Sequence, residues 1–281
     1  MEKDLTSNRI NFSVVVYKTS PAEIEKLYNS IINTKIDWVL YIVDNSPTDE
    51  LKNVCSSDSR VKYIFTGKNI GFGAAHNIAF RNSIVQQVDF HVVINPDIYF
   101  EGDVISPMVR FMTSDPSIGM AMPEILYPNG DVQYLPKLLP SPLSILKRKI
   151  KKPQDSYKRF IEKYELRNIP RSTVYNAPIL SGCFTVVNVK ALETVGLYDD
   201  RYFMYFEDFD LSRRVHYHYK TIYFPLVSVY HGYAGDANRN FKLFMIFIKS
   251  AFHYFNKWGW FFDNTRKKIN SSITTLKWDR H

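Results

Sequence analysis

Three carboxylates fall within four positions at Glu207, Asp208 and Asp210, directly after the aromatic run Phe203-Met204-Tyr205-Phe206. Acidic residues in the first turn of a helix are stabilised by its dipole, which accounts for one of them. It does not account for three beside aromatics. Apolar neighbours raise a carboxylate pKa and suit the group to act as a general base towards a hydroxyl. On a helix Asp208 shares a face with Leu211 and Val215 while Asp210 points elsewhere, so Asp208 is the expected base. Glu207 and Asp210 are left to binding or structural roles.

A fourth carboxylate, Asp97, follows Asn95-Pro96 at the end of the apolar run 90–94. There it is either turn chemistry or a ligand for a hard divalent cation that neutralises a diphosphate. His231 closes a later apolar run, where it serves either the core or a metal or phosphate. The segment Asn69-Ile70-Gly71-Phe72-Gly73 contains GxG but lacks the third glycine of a dinucleotide fingerprint, which excludes the NAD reading. Its glycines let backbone approach a ligand closely, with a helix N-terminus behind them. No GxxxxGK[ST], GxSxG or HExxH occurs, so P-loop, hydrolase-elbow and zincin chemistry have no support.

The elements that position these residues alternate in the first half. Strand-like 12–17 is followed by a helix-like 21–33 behind Ser20-Pro21, then strand 38–44 and strand 61–65. A helix over 74–84 and strand 90–94 complete the rhythm. Such alternation predicts an α/β fold with a mainly parallel sheet flanked by helices. Ligands of such sheets gather at the strands' carboxyl ends, where Tyr17, Asp44-Asn45-Ser46, Asn69 to Gly73 and Asn95 to Asp97 would line up on one edge. The second half predicts a helix over 103–113, strand 118–122, a turn at 128–131, strand 181–187 and a short helix from Asn188 to Gly196. A helix then runs from Glu207 to His218, before a last strand over 221–229. Between Leu135 and Asn176 no period holds and five prolines intervene, so a long insertion with one helix near 156–164 is expected.

A chain of 281 residues can bury one substantial core, and 45% hydrophobic with 23% charged residues excludes a disordered chain. The polar start 1–9 does not read as a signal peptide, and the apolar run 243–248 is too short to span a bilayer. Cys55 and Cys183 lack metal or disulfide spacing and fit a reducing cytosol. The net charge of +8 concentrates in two places. One is 147–152, and the other is the tail 241–281, where eight Lys/Arg face two Asp. Charge runs alone are usually solvated surfaces; attraction to an anionic surface is the sharper reading.

In order, Val14 to Tyr17, Val43 to Ser46, Asn69 to Asn77, Asn95 to Asp97, Ser181 to Phe184, Gly196 to Asp200 and Phe203 to Leu211 resemble family 2 glycosyltransferases. The resemblance is to the rhamnosyltransferase-like branch that builds bacterial surface polysaccharides, such as O-antigen or capsule, and runs from about 12 to 232. It implies a GT-A fold with a Rossmann-like nucleotide half and an acceptor half. It also implies an inverting transfer from a nucleoside-diphosphate sugar (dTDP or UDP, rhamnose-like) to a polyprenyl-linked or oligosaccharide acceptor. Carried over by residue, Tyr17, Asp44 and Asn45 serve the nucleotide, and Asn69, Gly71 and Asn77 shape its site. Asn95 stands where the family has the first acid of its DxD pair. Asp97 and His231 serve Mg²⁺ or Mn²⁺, Asp208 with Glu207 is catalytic, and Asp210 and Tyr205 lie towards the acceptor. Sugar nucleotidyl transfer and a non-catalytic carbohydrate-binding scaffold are the competing readings.

The resemblance also divides the chain into a catalytic domain, 1–236, and an aromatic, basic helical segment, 237–281. In that segment Phe241, Phe244, Met245, Ile248, Phe252 and Phe255 share one amphipathic stripe. Such a helix either packs on the domain or a second copy in a homodimer, or lies on an anionic membrane surface. The second option places the protein in the cytoplasm, peripheral at the inner face of the cell membrane. The basic residues avoid the expected cleft and no recognition motif occurs, so nucleic acid is not an expected partner.

Overall fold

A computed structural model describes residues 8–54, 58–150, 153–232 and 241–275. Four strands, β1 (Arg9–Val16), β2 (Asp37–Asp44), β3 (Val61–Phe65) and β4 (Phe90–Ile94), form the parallel half of one sheet in the order β3-β2-β1-β4. β4 is buried throughout and β1 nearly so, as parallel strands covered by helices on both faces must be. Helix α1 (Pro21–Ile31) starts on a capping box, Ser20 receiving the Glu23 N–H and returning the favour through its own backbone. Helix α2 (Phe72–Val85) lays Ala75, Ala79 and Phe80 on the sheet. Because β2 lies on one side of β1 and β4 on the other, the chain reverses between β1 and β4, and a crevice opens outside their carboxyl ends.

The rest of the sheet is mixed. β8 (Phe184–Asn188) runs antiparallel to β4, and β6 (Ile118–Leu126) antiparallel to β8. β9 (Lys220–His231) returns parallel to β6, while β5 (Ile98–Tyr99) and β7 (Tyr175–Asn176) pair antiparallel with β9. The parallel character expected from the alternating first half therefore stops at β4, apart from the β6–β9 pair. The chain reaches β8 through the insertion rather than a single crossover helix, which frees β8 to run antiparallel. Helices α3 (Ile105–Ser114), α6 (Val189–Val195) and α7 (Glu207–His218) complete the layers, with Asn188 capping α6 and Gly196 ending it at φ 82°.

The insertion holds two helices, α4 (Pro142–Ile150) and α5 (Gln154–Tyr164), where one was expected. α4 opens on Ser141, whose Oγ accepts the Ser144 N–H, and on Pro142 in its first turn. This is the Ser-Pro start that also marks α1. The neighbouring prolines hid it.

Helices α8 (Phe241–Trp258) and α9 (Asn264–Thr274) pack on the same body. Tyr254, Phe255 and Ala251 of α8 form an aromatic cluster with Tyr202 and Phe206. Arg213 of α7 is 3% exposed and meets Asp263 at 2.8 Å, and Asp263 also caps α9 through the Arg266 N–H. The face of α8 that packs is therefore rotated from the expected stripe: of that stripe Phe255 is buried, while Phe241, Phe244, Met245 and Phe252 face outward. The expected boundary between 236 and 237 lies outside the described residues, as do Cys55 and parts of both basic runs.

Candidate active site

At the carboxyl edge of β2, Asp44 is fully buried. Its Oδ1 accepts the Ser46 N–H at 2.8 Å and its Oδ2 the Tyr63 hydroxyl at 2.6 Å. Each carboxylate oxygen accepts twice, so Asp44 keeps acceptor capacity towards the cleft of about 510 Å³ that it lines with Lys18, Thr19, Ser46 and Thr48. Tyr17, half exposed, stands at the end of β1 beside this cleft's Lys18. Asn45 donates its amide to the Gly71 carbonyl at 3.1 Å, and Asn69 Oδ1 accepts the Gly71 N–H at 3.0 Å. The three residues thus hold one another and shape the loop that leads into α2.

Gly71 has φ 94°, and a Cβ there would collide with the Phe203 carbonyl. The next residue, Phe72, donates its N–H to that same carbonyl at 2.9 Å. The loop before α7 is thereby seated on the start of α2. Asn77 was expected at the nucleotide and does not face the cleft. It is 1% exposed, and its amide is spent on Tyr198 (2.8 and 3.0 Å) and Asp200 (2.6 Å), riveting α2 to the loop after α6.

The end of β4 brings Asn95 and Asp97 against the end of β9. Asp97 Oδ1 lies 3.3 Å from His231 Nε2, and the Asn95 amide is 3.4 Å from the same nitrogen. Gln133 donates its amide to the His231 carbonyl at 3.0 Å, so its Oε1 must accept, and it does so from His231 Nδ1 at 2.9 Å. That hydrogen bond puts a proton on Nδ1 and leaves Nε2 facing the Asp97 carboxylate. The donor set, a carboxylate oxygen and an imidazole nitrogen, suits a divalent cation that takes its remaining ligands from phosphate and water. Among the described residues no group of three or more His, Cys, Asp or Glu converges on one point, so the set is sparse.

Glu207 and Asp208 open α7 behind two residues in the left-handed region, Tyr205 at φ 69° and Phe206 at φ 67°. Such a conformation costs a non-glycine residue energy and persists only where packing enforces it. Here the Phe206 ring is held among Phe209, Phe247, Tyr254 and Phe255, so α8 sustains the bend that aims the pair. Asp208 accepts the N–H of Phe209 at 2.8 Å and of Gly182 at 3.3 Å. Burial raises its pKa, opposed by those two donors and by the charge of Lys137. Glu207 is raised well above the usual range by burial and then by the Asp208 charge, and its Oε2 has no hydrogen-bond partner. The environments differ: two backbone N–H donors and the charge of Lys137 favour a negative charge on Asp208, while burial and the Asp208 charge oppose one on Glu207. A raised but ionised carboxylate is the stronger base.

Both acids line a basin of about 650 Å³ whose other walls include Tyr205, Phe209, Phe247, Lys137, Arg148 and Lys149. The sequence reading brought Tyr205 here and missed the three cations. Arg148 and Lys149 sat in a run read as a charged surface, and Lys137 carried no local signal. Asp210 does not join them. It is fully buried, with Oδ2 bound to Arg214 and Lys257 (both 2.9 Å) and Oδ1 to Trp258 Nε1 (2.8 Å), so it fastens α8 to α7 rather than meeting an acceptor.

A family model for glycosyl transferase family 2 matches residues 13–196, more than half of the chain. The chain belongs to this family. The match ends before α7, so Glu207 and Asp208 lie beyond it. The N-acetylglucosaminyl-diphospho-decaprenol L-rhamnosyltransferase of Mycobacterium tuberculosis is 26% identical over 239 residues, 80% of this chain and 76% of its own. Rhamnosyltransferase WbbL of Escherichia coli K12 is 26% identical over 243 residues, 82% and 87% respectively. An uncharacterised glycosyltransferase of Rickettsia conorii is 32% identical over 111 residues, which is only 18% of that longer protein. Among solved structures, GalNAc-T7 with UDP, GalNAc and Mn²⁺ superposes at TM-score 0.61 over 87% of this family 2 chain and 47% of its own, at 13% identity. The mannosyltransferase PcManGT of Pyrobaculum calidifontis, with GDP-Man and Mn²⁺, superposes at 0.59 over 98% and 67%, at 16% identity. The fold is GT-A.

Proposed function

We propose that this family 2 chain is an inverting glycosyltransferase, which moves a rhamnose-like sugar from a dTDP- or UDP-sugar to a lipid-linked acceptor of surface-polysaccharide synthesis. One observation carries the reading. The loop Gly182-Cys183 binds the ionised Asp208 with one residue and the Asn95 N–H with the next, so base and donor-side residues belong to one rigid junction. The rhamnosyltransferase relatives support the sugar, and the decaprenol-linked acceptor named for one of them supports the lipid.

Asp97 and His231 would hold Mg²⁺ or Mn²⁺, which neutralises charge on the donor diphosphate when bound. The Asp44 edge holds the nucleotide. Asp208 takes the proton of the acceptor hydroxyl while that oxygen forms its bond to the anomeric carbon. The bond from that carbon to the diphosphate breaks on the opposite face, and the nucleoside diphosphate leaves with the electron pair. Attack opposite the leaving group inverts the anomeric centre.

Among the described residues no helix is long and apolar enough to cross a membrane. The outward Phe241, Phe244, Met245 and Phe252 of α8, with Leu143, Leu146 and Ile150 of α4, support a peripheral position on the cytoplasmic leaflet. The test is transfer of radiolabelled sugar from a panel of nucleotide sugars to a polyprenyl-diphosphate-linked sugar, with Mn²⁺ and with EDTA. Transfer from at least one donor, lost in EDTA, is expected; pyrophosphate release from a nucleoside triphosphate and a sugar phosphate instead would overturn it.

A further inference from the structure

The basin that holds Asp208 is cationic, and its cations have no assigned task. Lys137 is 7% exposed, and its ammonium donates to the Leu135 carbonyl at 2.8 Å and the Tyr134 carbonyl at 3.4 Å. An ammonium has three donors, so one remains for the basin it lines. Among the described residues no carboxylate forms an ion pair with it. Glu165 and Asp208 favour its charge from a distance without pairing with it, so its remaining donor can take an anion in the basin. Burial and then the charge of Arg148 push the Lys137 pKa down to about 8.

Arg148 and Lys149 come from the last turn of α4. Glu165 is the acid beside them, and it lies 3.9 Å from Arg148 but is held at 2.9 and 2.5 Å by Arg167. The Lys149 ammonium stands 4.8 Å from the Phe247 ring and 5.7 Å from that of Phe244, which places α4 against α8 at the mouth of the basin. The same two helices carry exposed apolar residues, Leu146 and Ile150 on α4 and Phe244 and Met245 on α8. The basin thus combines a carboxylate with positive charge, and the two helices beside it add exposed apolar surface. A sugar hydroxyl, a diphosphate and a hydrocarbon chain are the matching parts of a lipid-linked acceptor.

We infer that Lys137, Arg148 and Lys149 form a subsite for the diphosphate of a lipid-linked acceptor, distinct from the donor diphosphate site at Asp97. The inference rests on reading the Asp208 side as the acceptor side. The donor's own diphosphate is the competing source of the same chemistry, and the test separates the two.

Titration calorimetry of the full chain in EDTA, with geranyl diphosphate as probe and geraniol as control, reads the subsite without catalysis. Geranyl diphosphate should bind and geraniol should bind at least about tenfold more weakly, the scale of one charge-assisted contact. Arg148→Gln and Lys149→Gln should each weaken geranyl diphosphate by about tenfold. Lys137→Met should abolish binding, and the two surface variants report if that one fails to fold. Equal affinity for geraniol, or Arg148 and Lys149 variants within about twofold of wild type, would overturn the subsite. So would UDP that displaces geranyl diphosphate and weakens in the same variants, since the cations would then serve the donor. A chain that binds the probe through these residues yet transfers no sugar sinks the proposed reaction and leaves the subsite standing.

Discussion

Gly182 donates its backbone N–H to Oδ2 of Asp208 at 3.3 Å, and the next carbonyl, that of Cys183, accepts the Asn95 N–H at 2.8 Å. Two consecutive residues of one loop therefore set the spacing between Asp208 and the strand end that bears Asp97. A Cβ on Gly182 would come within 3.2 Å of the Phe72 ring and 3.5 Å of Asp208, so the loop is tightly enclosed at this point.

Asp208→Asn keeps the shape of this junction and removes the proton acceptor. Sugar transfer should fall about 10²–10⁴-fold, the usual contribution of a positioned base. Nucleotide-sugar affinity by calorimetry should stay near the wild-type value. Full activity in the variant removes Asp208 from the role.

Glu207 has a folded pKa raised above its unfolded value. Its protonated form therefore supports stability at low pH, and that support is lost as pH rises through the raised pKa. Glu207→Gln should remove this loss, so its melting temperature should decline less than wild type as pH rises above 4.5. Transfer runs the other way, because Asp208 must be ionised: activity should fall on acidification at a pH above the ordinary carboxylate range.

Beneath the sheet, Ser13 Oγ lies 2.7 Å from both His76 Nδ1 and His91 Nε2, in a fully buried network. Burial pushes His76 down from 6.5 to about 3, so the folded chain refuses a proton that the unfolded chain binds. The His76 contribution to stability is full above pH 6.5 and is lost as pH falls towards 3, at about 1.4 kcal/mol per pH unit. Urea melts of His76→Gln across this window should show a shallower pH dependence by about one proton. An unchanged slope would mean that His76 is protonated in the fold.

Asp210 binds Arg214, Lys257 and Trp258 at once. Asp210→Ala leaves two cations facing each other and frees α8 from α7. Unfolding free energy should drop by roughly 3 kcal/mol, the lower end for a broken buried pair, because Lys257 is partly solvated. Activity should fall with it, since α8 holds Phe206 and Phe206 precedes the catalytic pair. Chemical denaturation and transfer assays on one preparation check both halves.

Phe241 and Phe244 are 77% and 40% exposed on α8. Changing both to Ser should weaken binding to vesicles containing anionic lipid by at least about tenfold, with the melting temperature unchanged. Equal sedimentation of wild type and variant with such vesicles would exclude this face as the membrane contact.

The alternating half of the fold was legible because each element there is set by its own residues. β3, β4 and α7 lie at the expected positions, Asn188 and Gly196 bracket α6, and Ser20-Pro21 starts α1. Local pattern also singled out the strand-end polar residues and the acidic pair, since turn and cap chemistry involve near neighbours in sequence. α4 escaped because prolines on both sides break the period that marks a helix.

What each residue faces across the chain was not legible in the same way. Periodicity assigns a residue to a face of its own element, while the neighbour of that face is decided when distant elements pack. The sequence alone determined an α/β nucleotide-type fold, a strand-end edge bearing Asp44 and Asp97, and an acidic pair opening α7. Only the tertiary structure decided that Asp210 ties down α8, that Asn77 binds Tyr198 and Asp200, and that Lys137 meets Arg148 and Lys149 around Asp208. Those contacts join residues separated by tens to more than a hundred positions, and their energy exists only once long-range burial has brought the elements together.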